Sequence, residues 1–449
     1  MSTDLKLLKD ADKRAMAYVQ SAPTRRVFPG DEELAALSEF EEILPEKSSD
    51  GQVMLEQLDR LGSPATSTST GPNYLGFVIG GVLPTAAAAD RMVSAWDQCA
   101  SSHMNSPIAA KLENIAGKWV LDILDLPRTS AVGFGTSATA CALSCLATAR
   151  RELLMRKGWD LDEKGLIGAP VVSVVTSDIA HITIFKALRV LGFGAKQIIR
   201  AKTDGWGRII TESLPQLDDL SILCLQAGEV NTGNFDPYIA LIDIANKAGA
   251  WVHVDGAFGL WARATTTHRK LTDGIELADS WTTDGHKWLN TPYDSAMAIV
   301  KNGDAFARAM NSDADYATAE TCAQKNLTLE FSRRARGIPV WAVLKTLGRV
   351  GVREMIERHC RQAQMLAKAI DGQNGIKVLN AVALNQVLCT TTGSESPIEF
   401  MTRMNSTGKI WFGPTVWQGK PAFRLSLSNW RTTDADIIHA IKVLTDQPL

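Results

Sequence analysis

The chain has 449 residues, 45% of them hydrophobic, enough for one large α/β unit with an appendage or for two or three domains. Its 47 Lys and Arg against 49 Asp and Glu leave a formal net charge of −2, so no broad positive field is present for nucleic acid or anionic membrane. No apolar run reaches the roughly 18 residues of a membrane span, and the opening "MSTDLKLLKDADKR" is charged where a signal peptide is apolar. A cytoplasmic location is therefore expected. The seven cysteines are scattered. Cys141 and Cys145 share a helix face, yet no Cys/His cluster has zinc spacing, so reduced buried thiols and no metal site are expected.

In chain order, residues 1 to about 60 are charged and amphipathic, a helical pattern interrupted by "SAPTRRVFPGD". The turn-rich "GSPATSTSTGPN" leads into "YLGFVIGGVLPTAAAADRM". From about Pro84 to Val300 short apolar runs alternate with helical periods. The strand candidates are "VVSVVTS", "QIIRAKT", "SILCLQAG", "WVHVDGAF" and "SAMAIVKN", separated by stretches such as "HITIFKALRVLG" and "YIALIDIANKAG". Val/Ile/Leu-rich strands alternating with helices predict an α/β fold with a mainly parallel sheet covered on both faces. Residues 303 to 337 lose their period and turn polar, as a loop does. A long helix is predicted from about Pro339 to Ile370. "IKVLN", "VALNQVLC", "SPIEFMTRMN", "PAFRLSLS" and "TTDADIIHAIKVL" then form a smaller βαβ-type tail. The expected domains are 1–83, an N-terminal helical segment; 84–337, the large α/β domain; and 338–449, the small C-terminal domain.

Four motifs carry chemistry. Asp255 in "VHVDGAFG" ends an apolar strand, where open parallel sheets place ligands, and Gly256 and Ala257 leave room for a flat molecule. An Asp capping a turn would leave the same trace. Lys287 in "DGHKW" ends the next strand-like segment in apolar surroundings, which favour a neutral, nucleophilic amine. A snorkelling surface lysine is the plain alternative. "VGFGTSATACALSCLATAR" is a Gly/Ser/Thr-rich turn opening a long helix at Ala138 and Thr139, where free amides and the helix dipole hold phosphate; ordinary N-capping reads the same way. His181 in "TSDIAHITIF" follows a strand and starts a helix, the place of a stacking imidazole or of a packed core histidine.

A phosphate cradle, a stacking histidine, a strand-end aspartate and a lysine in that chain order resemble the pyridoxal-phosphate enzymes of the aspartate-aminotransferase fold (fold type I). Within them the closest resemblance is to the group II amino acid decarboxylases, from about Tyr74 to Arg431. The resemblance implies pyridoxal phosphate as cofactor, with Lys287 as the imine-forming lysine and Asp255 paired with the pyridine nitrogen. Ala257 lies under the ring, His181 stacks on its other face, and Ala138, Thr139 and His286 hold the phosphate. It further maps Arg424 in "GKPAFRLSLSN" onto the arginine for the substrate carboxylate, and Tyr316 in "NSDADYAT" onto the loop tyrosine that protonates the carbanion. His103 and Met104, from a partner subunit, and Tyr293 are expected at the substrate. Two departures stand out: Glu229 and Val230 replace two threonines common near the cofactor, and "TSATACAL" lacks an acidic residue common after the phosphate positions.

The implied enzyme is a lyase of amino acid metabolism, a homodimer with shared active sites and the N-terminal segment at its interface. It turns an aromatic or apolar L-amino acid into its amine and CO2. Oxidative decarboxylation to an aldehyde, or a retro-aldol cleavage, would use the same cofactor site.

Overall fold

In the computed structural model, which describes residues 3–311 and 323–446, seven strands build the main sheet. They are β1 (Ala131–Gly135), β2 (Ser173–Ser177), β3 (Ile198–Ala201), β4 (Ser221–Gln226), β5 (Trp251–Asp255), β6 (Ser280–Asp284) and β7 (Ala296–Val300). Their order is β1-β7-β6-β5-β4-β2-β3. The pairs from β3 through β2, β4 and β5 to β6 are parallel. Only β7 runs antiparallel to its neighbours, β6 and β1. Every residue of β4, β6 and β7 is buried, as strands covered on both faces must be. The mainly parallel sheet expected from the apolar runs is present, as a mixed sheet with one reversed strand.

Helix Ala138–Arg156 crosses this sheet. Its Cys141, Ala142, Cys145, Leu146 and Ala149 share one core with Val174, Ile222, Cys224, Trp251, Ala296 and Ala298. Small side chains on the inward face of the helix bring its axis close to the strands, and each large aliphatic side chain buried there adds about 1.5–3 kcal/mol. The cysteines belong to this core, where burial pushes the Cys141 and Cys145 thiols up and keeps them protonated.

Strand β1 was not among the expected strands, because "VGFG" reads as a turn. Its glycines answer to packing instead: a Cβ on Gly133 would lie 1.8 Å from the Leu327 carbonyl oxygen, and one on Gly135 2.9 Å from Cys141 Sγ. The open edge of β1 is covered by a side chain. Phe134 N–H donates to Gln324 Oε1 at 3.0 Å, and Gln324 Nε2 donates to the Val132 carbonyl at 3.0 Å, which blunts an otherwise unpaired strand edge. A buried ion pair secures the same region. Both side chains of Arg333 and Glu113 are 0% exposed, 2.6 Å apart at their nearest atoms. Arg333 also donates to the carbonyls of Ala100 and Phe134, and Gly337 N–H to Glu113 Oε1.

The helix expected over Pro339–Ile370 spans Gly337–Ile370 and is broken at Gly348, whose φ of 59° and ψ of −174° are outside helical values. A left-handed φ there suits only glycine.

Two compact units result: one is Val82–Arg361 with Asn380–Gln386, the other Met1–Gly81 with Gln362–Leu379 and Val387–Leu449. The second contains helix Thr3–Ser21 and a sheet of β8 (Ile376–Val378), β9 (Gln386–Thr391), β10 (Gly413–Trp417) and β11 (Lys420–Ser426), in the order β10-β11-β9-β8. In it Tyr74 bridges to Trp411, their rings stacked 4.9 Å apart. Among the described residues no helix is long and apolar enough to cross a membrane.

Removing one partner from a fully buried ion pair leaves a charge with no counter-ion. Glu113→Ala should therefore lower the unfolding free energy by ~3–5 kcal/mol in urea titration; a loss below about 1 kcal/mol would contradict the role given to this pair.

Candidate active site

The site grows from the carboxyl edge of two neighbouring parallel strands. Asp255 closes β5 opposite Thr282 of β6, and Asp284 closes β6 two residues further on. Ala257 N–H donates to Asp255 Oδ1 at 3.2 Å, and Gly256 N–H to the Thr282 carbonyl at 3.0 Å. Gly256 has no room for a side chain, since a Cβ would lie 2.7 Å from that of Leu260.

Lys287 follows in the turn after β6, its Nζ 3.0 Å from Asp284 Oδ2. Snorkelling does not describe it, because its side chain is 20% exposed and faces a carboxylate that is 3% exposed. The turn is fixed from below. Trp288 Nε1 donates to Nδ1 of His359 at 2.9 Å, and both residues are fully buried. Asn290 takes a φ of 56°, donates its N–H to the Lys287 carbonyl, and donates its side-chain amide to the Trp288 carbonyl at 2.8 Å.

Helix Ala138–Arg156 aims its first turn at the same place. Ser137 is its N-cap, accepting from Ala140 N–H, while Ala138 N–H donates to Asp284 Oδ1 at 2.8 Å. Thr139 is the next residue in that turn, whose amides have no acceptor within a helix. His286 lies alongside, with Nε2 3.7 Å from Asp284 Oδ2. Its Nδ1 accepts the Ser295 N–H at 3.1 Å, so in the neutral ring the proton sits on Nε2, a donor on the side of Asp284. Burial pushes the His286 imidazole down, against the pull of Asp284, and favours that neutral ring. Tyr293 stacks on His286, ring centroids 4.2 Å apart.

His181 caps helix Ile182–Val190, its Nδ1 2.7 Å from Thr183 Oγ1. Its side chain and that of Lys287 act on Asp255. Burial pushes the Asp255 carboxyl up, and the charges of His181 and Lys287 pull it back. His253, two residues earlier on the same strand face, is pushed by burial down to about 3 and stays neutral beside Ser280 Oγ. It therefore adds no rival cation under Asp255.

Lys287, His286, Asp255, Ala257, His181, Ala138 and Thr139 thus belong to one unit and gather around one strand edge. Tyr293 joins them by stacking on His286. His103 lines a cavity of about 980 Å³ with Lys111, Lys118, Arg128 and Lys301, and none of Lys287, Asp255 and His181 borders that cavity. Arg424 is buried on β11, opposite Gly413 of β10, in the other compact unit. Tyr316 lies outside the described residues.

Glu229, the noted departure, is consumed by its own loop: its buried carboxylate accepts the amides of Asn231 and Thr232 at 2.8 and 2.7 Å, the Asn231 side chain at 3.0 Å and the Thr232 hydroxyl at 3.1 Å. Sequence reasoning missed Asp284 and His359. Asp284 carried the same signal as Asp255, a carboxylate ending a parallel strand; His359 carried none, since only the fold brings it to Trp288.

Residues 33–390 match the model of the pyridoxal-dependent decarboxylase conserved domain. The chain belongs to this family. It is a pyridoxal-phosphate-dependent amino acid decarboxylase with the fold-type-I architecture. An aromatic-L-amino-acid decarboxylase of Bacillus atrophaeus is 26% identical over 96% of this chain and 92% of its own. A phenylacetaldehyde synthase of Arabidopsis thaliana is 26% identical over 77% and 75%. The structure of Oryza sativa TDC with PLP and tryptamine superposes with a TM-score of 0.90 at 24% identity, covering 99% of this chain and 98% of that one, which establishes a shared fold.

The residues of this decarboxylase fit its cofactor. A buried-edge amine, a carboxylate under electrostatic control, first-turn helix amides and an imidazole N–H donor are the groups an aldehyde, a pyridine nitrogen and a phosphate require. Beside them the hydroxyls of Thr291 and Ser295 are buried without a hydrogen-bond partner, packed against the side of Gly285.

The Trp288–His359 bond is the anchor of the lysine turn. Trp288→Phe keeps the ring and deletes the donor, so stability should fall by about 1–3 kcal/mol. Trp288→Phe combined with His359→Leu should recover part of that loss in a double-mutant cycle. Strict additivity of the two changes would show that the bond contributes nothing.

Proposed function

We propose that this decarboxylase takes an aromatic L-amino acid and releases the corresponding amine and CO2. The convergence of Lys287, Asp255 and His181 on the ends of β5 and β6 supports the reaction class in this chain. The substrate class is supported by the full-length likeness to the aromatic-L-amino-acid decarboxylase.

When bound, the cofactor supplies an electron-withdrawing ring that accepts the electron pair left on Cα as CO2 departs. The protein does the rest. Lys287 is the amine that would hold the cofactor aldehyde. Asp255 would hold a proton on the pyridine nitrogen, for which its carboxyl must stay anionic against the cost of burial; the charge of His181 supplies help that remains once Lys287 is engaged. His181 would lie against one face of the ring, and the small Ala257 would leave room at the other. The first-turn amides at Ala138 and Thr139, with His286, would hold the phosphate. Tyr293, with His103 of a second copy, is proposed to meet the substrate side chain. Holding the breaking bond perpendicular to the ring is the main contribution expected from these positioning groups.

After CO2 loss a proton must reach Cα, and Tyr316 is the proposed donor. The alternative outcome, an aldehyde, is favoured by the likeness to phenylacetaldehyde synthase, and the presence of a phenol at position 316 argues for the amine. The working form is proposed to be a cytoplasmic homodimer with shared active sites. Leu5, Leu8, Met16 and Val19 on helix Thr3–Ser21, with Ile43 and Leu44 beyond it, are exposed and form the apolar surface that a second copy would cover.

Two substitutions test this reading. Asp255→Asn keeps the shape and removes the charge, and decarboxylation should slow by about 10² or more; a rate within twofold of wild type would exclude Asp255 from the proposed part. Tyr316→Phe should shift the product under air from amine toward aldehyde, ammonia and hydrogen peroxide. Wild type already making aldehyde, or a Phe variant making only amine at full rate, would remove Tyr316 as the proton donor.

A further inference from the structure

The helix N-terminus proposed for the phosphate already meets an anion of the protein itself. Asp284 Oδ1 accepts Ala138 N–H at 2.8 Å, at the first residue of helix Ala138–Arg156. Its other oxygen lies 3.0 Å from Lys287 Nζ and 3.7 Å from His286 Nε2. A helix amide, the reactive amine and the phosphate-facing imidazole therefore converge on one carboxylate, whose side chain is 3% exposed. The backbone of Asp284 is fixed as well. Its N–H donates to the Ala257 carbonyl at 2.9 Å, its carbonyl accepts from Trp261 Nε1 at 3.3 Å, and it is paired with Ala296 of β7. Only its side chain can move.

We infer that Asp284 is a resident counter-anion that holds the cofactor-free site together and must release the helix N-terminus to the cofactor's phosphate. The inference rests on the cofactor assignment above and adds a part for a residue outside the proposed set of contacts. A phosphate group brings nearly two negative charges at neutral pH. Set beside a buried carboxylate on the same amide, it meets like-charge repulsion at short range in a poorly screened place. Asp255 stands close enough that Asp284 already pushes its carboxyl up, so the site holds two carboxylates before any phosphate enters. The way out is rotation of the Asp284 side chain away from Ala138. Its remaining neighbours are then His286 Nε2, whose proton faces it, and Lys287.

This arrangement has two consequences. Without cofactor, Asp284 satisfies the helix amide and Lys287 together, so the empty site is neither an orphaned helix end nor an unpaired buried amine. With cofactor, the same carboxylate opposes phosphate, so affinity for any phosphate-bearing ligand is lower than the cradle alone would give. Asp284 is thus a positioning residue that exchanges stability of the empty protein against affinity for its cofactor.

The test uses the full chain stripped of cofactor, with inorganic phosphate as probe because it cannot react with Lys287. Wild type, Asp284→Asn and Asp284→Ser are compared by calorimetric titration with phosphate and by thermal unfolding. Asn keeps the shape and an acceptor for Ala138, and Ser is small enough to fold if Asn is not tolerated. Either variant should bind phosphate about tenfold tighter or more, and should melt lower than wild type when cofactor-free. Pyridoxal, which lacks the phosphate, should gain much less. Equal or weaker phosphate binding in the variants would overturn the inference, because Asp284 would then not stand in the phosphate's way. A cofactor-free variant as stable as wild type would also overturn it. Failure of wild type to bind pyridoxal phosphate at all would instead reverse the cofactor assignment.

Discussion

The parallel pairing of β5 with β6 is the constraint from which the site follows. It sets Asp255 opposite Thr282, so that both strands end at one edge and each delivers a carboxylate there, Asp255 from one and Asp284 from the other. Parallel strands need long return connections, and that edge is where the chain leaves the sheet to make its turns. The Lys287 turn is one of these, and the helix beginning at Ala138 points its amides at the same spot. A one-residue slip in the β5–β6 register would put the two carboxylates on opposite faces of the sheet and take Asp255 away from Lys287.

Charge inside this unit is handled by pairing. Arg333 and Glu113 neutralise one another where neither is exposed, and Lys287 meets Asp284. Asp255 is handled differently, a carboxylate whose burial is only partly offset by neighbours in the protein itself. That imbalance is what a cationic pyridine ring would correct, which gives the cofactor a stabilising as well as a chemical part. His253 completes the pattern: a histidine beneath the site that burial keeps neutral leaves Asp255 for the ligand.

Much of this was legible before the fold. β2, β4, β5 and β7 announced themselves as short apolar runs, and "VHVDGAFG", "DGHKW" and "SDIAHIT" marked Asp255, Lys287 and His181 by position and chemistry. What escaped did so for physical reasons. β1 looks like a turn because its glycines are demanded by Leu327 and Cys141, contacts that no local pattern encodes. The break at Gly348 hides inside an amphipathic period that continues on both sides. Asp284 was overlooked because its partners, Ala138 and Ala257, are distant in the chain. Glu229 looked like a lost cofactor contact, and its hydrogen bonds show a loop holding itself closed.

The central claim is that Lys287 is the residue to which pyridoxal phosphate becomes attached. Borohydride reduction of the holoenzyme, followed by proteolysis and mass spectrometry, tests it most directly. The account predicts one reduced pyridoxyl group, on the peptide that contains Lys287, with no comparable label elsewhere. Label on a different lysine, or holoenzyme in which none is fixed at all, would contradict it.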